Sequence, residues 1–388
     1  MASAGGTFLF SDEQQQLRAA VRKFCAENFS ETAVRAAMES ERQFDPQVWG
    51  RLGSELGVLG MAVPEADGGV GGSLVDQAVA VEEFGAALAC GPLFGTVYLA
   101  IPALVACPPG AVRDPLLACL VEGEHTAAVA IADRAGAFEP AEVRLTATAD
   151  GSDVTITGTV PRVVDAGSAD RILVAANGSD GVGLYVVDAA ATRRTPLVTL
   201  DLTRPQASVE FDNAPARRLA GPGEAQRAID HALRVGSALL AVEQVGSAQL
   251  LLDLSVDYAK TRLQFGRPIG SFQAVKHRLA DMLVDLEHAR STAYHAVWAL
   301  TDGSDDPALA ASIAQAVCSA ALSRIAADAI QVHGGIGFTW EHRAHLYFKR
   351  AATDAALLGS AEQHRSRVAE LVLDDAVAHA GAVKVATG

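Results

Sequence analysis

An α+β fold, in which two helical regions flank a β region, is predicted by three observations. Residues 1–122 and 223–388 carry apolar residues at helical spacing, and residues 123–222 switch to short β-rich runs between turn residues. The switch occurs twice, at a rough third and two thirds of the chain, so the order itself constrains the architecture. Ala and Leu dominate the outer windows, which favours helix there.

The first region, 1–122, opens on Phe10-Ser11-Asp12-Glu13. Ser11 can cap a helix, and the two acids suit its first turn. Leu17, Val21, Phe24 and Cys25 then recur on one face. A second helix is predicted from Val75 to Leu88, after the glycine-rich loop Val63-Pro-Glu-Ala-Asp-Gly-Gly-Val-Gly-Gly72. In the middle region, 123–222, Asp150-Gly151 between VRLTATA and DVTITG marks a hairpin. The last region, 223–388, holds an unbroken helical pattern from Ala225 to Arg262.

The net charge is −15. That argues against a nucleic-acid-binding surface, because phosphate neutralisation needs clustered Lys and Arg, and no nucleic-acid partner is expected. The five cysteines, Cys25, Cys90, Cys107, Cys119 and Cys318, form no C-x-x-C pair and read as reduced thiols. The start MASAGGTFLFSDEQQQ lacks the basic and apolar segments of a signal peptide, and no uninterrupted apolar stretch reaches membrane-spanning length. A cytoplasmic location and no membrane span are expected. His342 with His345, and Asp281 with Asp285 and His288, fall short of a zinc helix pattern; solvated helix faces explain them, and no metal is expected.

Two motifs carry the chemistry. In Tyr258-Ala-Lys-Thr-Arg-Leu-Gln-Phe-Gly-Arg-Pro-Ile-Gly-Ser-Phe-Gln273, a helix carries Arg262 and stops at Gly266 and Pro268. An Arg at a helix end beside such a turn suits a phosphate; a plain surface Arg in a helix-turn-helix is the alternative. In Gln331-Val-His-Gly-Gly-Ile-Gly-Phe-Thr-Trp340, paired glycines let a backbone approach a ligand. A glycine helix stop is the alternative.

These motifs, with FSDEQQQLRAAVRKFCAE, LGSELGVLGMAVPEADGGVGGSLVDQAVAVEEFG and VEFDNAPARRLAGPGE, resemble the acyl-CoA dehydrogenase family over almost the whole chain. The resemblance implies an N-terminal helical domain, a middle β-barrel-like domain and a C-terminal four-helix bundle, assembled as a tetramer. It implies FAD as cofactor and α,β-dehydrogenation of an acyl-CoA to the 2-enoyl-CoA. It further implies that Arg262, Phe265, Gln273, Gln331, Gly334 and Gly335 reach the pyrophosphate and adenosine part of a neighbour's FAD.

The residues that the family uses to hold the flavin ring within the same chain depart from its pattern. Ala132-Asp133-Arg134-Ala135 replaces a Thr-Glu-Pro-Gly-like loop, and Arg162-Val163-Val164 replaces Trp-x-Thr. The catalytic base of the common branch falls at Leu358, before Gly359. That of a second branch falls at Gly236. Neither is a carboxylate.

Glu243, seven residues past Gly236, returns to nearly the same helix face after two turns, about 20° off and about 10 Å along the axis. It is the candidate base; a structural acid paired to Arg or Lys across the bundle is the alternative. Asp354 and Glu362, four residues either side of Leu358, are weaker candidates. An acyl-CoA dehydrogenase, active alone or shared, is therefore expected. The alternative is a half-site subunit that completes the FAD site of a paralogous chain in a hetero-tetramer. Non-redox thioester chemistry on the same fold also stays open.

Overall fold

The structure is a computed structural model and describes residues 10–131, 133–151 and 153–386. Helices α1 (Asp12–Asn28), α2 (Glu31–Glu39), α3 (Pro46–Ser54) and α4 (Leu74–Ala87) come first. Each begins at a polar cap: Ser11, Ser30, Asp45 and Ser73 accept hydrogen bonds from the first-turn backbone. At Ser11 the cap is reciprocal, because the Gln14 side chain accepts from the Ser11 backbone. A π-helical segment, Leu93–Ala100, runs into α5 (Ile101–Ala106), and α6 (Arg113–Val121) follows.

Eleven strands are described: β1 (Ala127–Ala130), β2 (Asp133–Arg134), β3 (Ala137–Phe138), β4 (Thr146–Asp150), β5 (Asp153–Val164), β6 (Arg171–Gly178), β7 (Gly181–Asp188), β8 (Arg193–Pro196), β9 (Gln206–Ala220), and the short β10 (Leu263–Gln264) and β11 (Arg267–Pro268). β4 and β5 pair antiparallel with Asp150 opposite Asp153, which is the hairpin expected at Asp150-Gly151. The pairings β6–β4, β4–β5, β5–β9, β9–β7 and β7–β6 close on themselves, so these strands form the expected barrel-like layer. β1 adds to β6 in parallel, and β8 adds to β9.

The closing helices are α7 (Pro222–Thr261), α8 (Gln273–Asp302), α9 (Pro307–His333), α10 (Ala344–Asp354) and α11 (Ala361–Ala386). Here one expectation is refined. α7 ends at Thr261, Arg262 is its extended C-cap, and the β10–β11 hairpin replaces a simple turn. α7 also crosses α4 closely enough that only glycine fits: a Cβ on Gly246 would lie 1.9 Å from the Glu82 carbonyl oxygen. A Cβ on Gly85 would lie 2.0 Å from that of Glu243.

Pro222–Thr261 and Pro307–Phe338 are long and apolar enough, by length and composition, to cross a membrane. In α7, 89% of the most apolar window is buried inside the protein, so its hydropathy reflects its place in the middle of the bundle.

Candidate functional site

The two positions where the family resemblance places a base meet in space. Gly236 lies in the middle of α7, and Leu358 follows α10 with φ 55°, in the left-handed region. A Cβ on Gly236 would sit 3.4 Å from Leu358 Cδ1 and 2.7 Å from Leu99 Cδ2. Leu358 and Leu99 are both buried. The place is therefore filled by two leucine side chains, and a carboxylate on Gly236 would require Leu99 to move.

The chain closes this place from the other side as well. The β2–β3 turn carries Ala135 and Gly136, both left-handed (φ 51° and 70°). It lies on the Leu358-Gly359 loop so tightly that a Cβ on Gly359 would stand 2.6 Å from Ala135 Cα. The His364 ring holds the loop from beneath, its Nε2 2.8 Å from the Leu358 carbonyl oxygen.

Next to the loop, a cleft of about 590 Å³ is lined by Arg162, Val164, Leu197, Leu200, Thr353, Leu357 and Leu358, among others. Thus Arg162 and Val164, which stand where the family has Trp and Thr, share a wall with Leu358. Leu200 and Val198 are exposed at its edge.

Glu243 occupies a different environment. It is 2% exposed, and its carboxylate accepts from Arg204 Nη2 at 2.6 Å, Arg350 Nη1 at 2.5 Å and Tyr98 Oη at 2.7 Å. Arg204 Nη1 also reaches Asp354 at 2.6 Å, and Arg350 Nε reaches Asp201 at 2.9 Å. The cluster ties the π-helical segment, the β8–β9 loop, α7 and α10 together.

Burial alone would raise the Glu243 pKa. The two guanidinium groups and the hydrogen bonds outweigh it and hold the carboxyl down at about 2. Two cations face three carboxylates, and Asp354 is left short: burial raises it to about 7 despite Arg204. Its Oδ2 has no hydrogen-bond partner. The arrangement matches the structural role weighed for Glu243. A base needs a free oxygen within reach of the proton it takes, and both Glu243 oxygens are engaged. Of the weaker candidates, Asp354 is buried in the same cluster. Glu362 is exposed on α11, with Arg365 Nη1 at 3.3 Å.

The other predicted residues gather on an open face. Tyr258, one turn before Arg262, stacks on His333, the residue before Gly334, with ring centroids 4.7 Å apart. This joins the end of α7 to the end of α9 and sets the two motifs side by side. Arg262, Gln273, Gln331, Gly334 and Gly335 are exposed, and Phe265 is 85% exposed at φ 53°. Nothing lies within 4 Å of a Cβ built on Gly334 or Gly335, so no side chain covers the paired glycines, while the Gly334 N–H caps α9 on the Ile330 carbonyl. Gln273 is held by His277 at 3.0 Å. Leu263, Ile336, Phe338 and Trp340 add exposed apolar surface to these segments.

For an FAD, the two halves of the site differ in fit. The open face, with a glycine pair clear of side chains and an exposed guanidinium, suits the phosphates and adenosine of a cofactor that comes from outside the chain. On the ring side the fit is lost for want of a platform: among the described residues, no aromatic side chain lines the cleft at Arg162, Val164 and Leu358.

Sequence reasoning missed Arg204 and Arg350 as the partners of Glu243. Arg350 and Asp354 are one helical turn apart, which was a usable signal. Arg204 lies 39 residues before Glu243, and only folding joins them.

Comparison with known proteins follows the same layout. Residues 11–124 match the model of the acyl-CoA dehydrogenase N-terminal domain, and residues 226–373 that of its C-terminal domain. The chain is 38% identical to the acyl-CoA dehydrogenase IpdE2 of Mycolicibacterium smegmatis over 361 residues, 92% of this chain and 98% of that protein. A solved variant of the Tcur3481–Tcur3483 steroid ACAD is similar at TM-score 0.83 and 31% identity, covering 94% of this chain and 99% of that one. The ChsE4–ChsE5 complex of Mycobacterium tuberculosis is similar at TM-score 0.84 and 28% identity, covering 94% and 99%.

Proposed function

This chain belongs to the acyl-CoA dehydrogenase family, and on that premise we propose that it works as the half-site subunit of a hetero-oligomeric dehydrogenase. It is an oxidoreductase subunit of a family whose FAD-dependent members dehydrogenate acyl-CoA-like substrates. In this reading it presents Arg262, Gln273, Gln331 and the Gly334-Gly335 backbone to an FAD whose ring is held by a paralogous chain. An FAD held there would supply a hydride acceptor for the β-carbon, and removal of the α-proton would need a base.

The observation that carries the proposal is the contact between Leu358 and the Gly236 position. Both places for a base are one apolar, filled volume in this chain. A weakly acidic α-proton needs a positioned base, so the paralogous chain supplies it. Arg262 offers a fixed positive charge to phosphate, and the glycine pair beside it presents backbone with no side chain in the way. The exposed apolar rim around Phe265, Ile336 and Phe338 suits burial against a partner. Names of similar structures support two-component assembly: ChsE4–ChsE5 and Tcur3481–Tcur3483 each join two differently named chains.

Glu243 then acts as a structural acid. It neutralises Arg204 and Arg350 and fixes α10, whose end carries the Leu358 loop.

The test is the subunit composition and flavin content of the native complex, captured through a tag on this chain. A second, related polypeptide and fewer flavins than polypeptides are expected. A homo-oligomer with one FAD per chain would overturn the reading.

A further inference from the structure

His333 is the hub of the loop that carries the glycine pair. The chain leaves α9 there, turns at Gly334 with φ 64°, and returns at His342. The His342 ring rests on the His333 ring, with centroids 4.3 Å apart and planes tilted by 44°. Residues 334–341 are thus closed at their base by two side chains. Gly337 packs on the same hub, since a Cβ on it would stand 2.8 Å from His333 Cβ. Tyr258 of α7 lies on His333 as well, at 4.7 Å. His333 is 4% exposed, and His342 is half-buried rather than on the solvated helix face that its spacing suggests.

Hydrogen bonds fix where each proton sits. The Ala329 carbonyl can only accept, so His333 Nδ1 carries the proton of their 2.8 Å bond. The Ala344 N–H can only donate, so His342 Nδ1 is bare and its proton is on Nε2. A second proton on His342 must go to Nδ1, where it would break the bond to the first residue of α10. Burial lowers the pKa of both rings from 6.5, and the neighbouring His333 lowers that of His342 further. The Ala329 and Leu254 carbonyls oppose this at His333. At His342, Glu31 of α2 opposes it and Arg343 reinforces it. His345 is lowered to about 4 by burial, Lys349 and Arg35, so it does not titrate near neutral pH.

We propose that His333 and His342 are positioning residues for the cofactor face: while both are neutral, their stacked rings hold residues 334–341 closed and the glycine pair in place. Acid opens the loop, because two like charges in contact repel and the bond from Ala344 is lost. Folding lowers the affinity of both rings for a proton, so closure is complete above pH 6.5 and is lost as pH falls below it. The closure stands on this chain alone. That FAD is what the loop meets rests on the half-site reading above.

The test is hydrogen exchange of residues 334–341 in the full chain at about pH 7.5 and about pH 5.5, each rate divided by the intrinsic rate at that pH. Protection of the loop should fall by about fivefold or more at the lower pH, while residues 236–248 of α7 keep theirs. His342→Phe keeps a ring on His333 and takes up no proton, so its loop should stay protected in both buffers. His342→Ala removes the ring, and its loop should be open in both. Melting temperatures confirm that each variant folds. Equal protection of the unaltered loop in both buffers, or acid opening that persists in His342→Phe, overturns the closure. FAD retention by the tagged mixed complex should fall with acid and stay level in His342→Phe. If the loop opens and retention does not follow, the cofactor role of the pair is overturned and only the closure stands. A homo-oligomer with one FAD per chain overturns the half-site reading instead, and the same retention test then applies to that oligomer.

Discussion

Leu358 Cδ1 lies 3.4 Å from where a Cβ on Gly236 would stand. Two positions separated by 121 residues of chain, each able to host a base in one branch of the family, are therefore neighbours in one apolar pocket. On the half-site reading, the lack of a carboxylate at both positions is one feature of that pocket.

In a mixed assembly with a flavin-holding paralogue, Arg262→Ala should lower FAD retention by about tenfold or more, as expected for loss of a charge-assisted phosphate contact. Leu358→Ala should leave turnover within about twofold, because this chain supplies no base. Flavin content after gel filtration and steady-state turnover check both. Loss of turnover in Leu358→Ala with flavin retained would place chemistry in this chain.

Glu243→Gln should act on stability. Removing one charge from a buried, paired cluster costs about 3–5 kcal/mol, seen as a lower denaturation midpoint. Remaining folded complex should keep its turnover per flavin. A base would behave in the opposite way, with stability kept and turnover lost.

The cluster also sets a pH dependence. Asp354 has its pKa raised from 3.8 to about 7. The folded state thus holds a proton that the unfolded state releases, and stability contributed by this group falls as pH rises from about 4 to about 7. Glu243, lowered to about 2, contributes stability above its unfolded pKa that is lost only as pH falls toward 2. Asp354→Asn should flatten the decline between pH 4.5 and 7 in a denaturation series. An unchanged slope would move its origin to another group, with Asp165, raised to about 6 by burial, the next to test.

Gly246→Ala should destabilise by at least about 1–3 kcal/mol, because the new methyl meets the Glu82 backbone where α4 crosses α7. Thermal unfolding of the folded oligomer reads this directly. Gly110→Ala, at an open position with nothing within 4 Å, serves as the control.

Much of the fold was legible because its signals are local. Ser11, Ser73 and the Asp150-Gly151 turn each act within four residues, so reading order along the chain suffices. Closure of the barrel by β6–β7 and β5–β9 was legible only through the family resemblance, since pairing partners are set by folding. In the site, the departures at Leu358, Gly236, Arg162 and Val164 were visible as residue types. Their convergence was not: helix periodicity placed Glu243 near the Gly236 face, but two arginines from distant elements claim it. The unpartnered Ser237 Oγ and His364 Nδ1 left no sequence signal, because each residue looks ordinary in its own helix.

The most direct measurement is the flavin-to-polypeptide ratio and visible spectrum of this chain purified alone, with an acyl-CoA then added anaerobically. The half-site account predicts little bound FAD and no bleaching, with both restored on co-expression with a paralogue that keeps the ring-binding residues and the base. One FAD per chain in the isolated protein, bleached by an acyl-CoA, would contradict it.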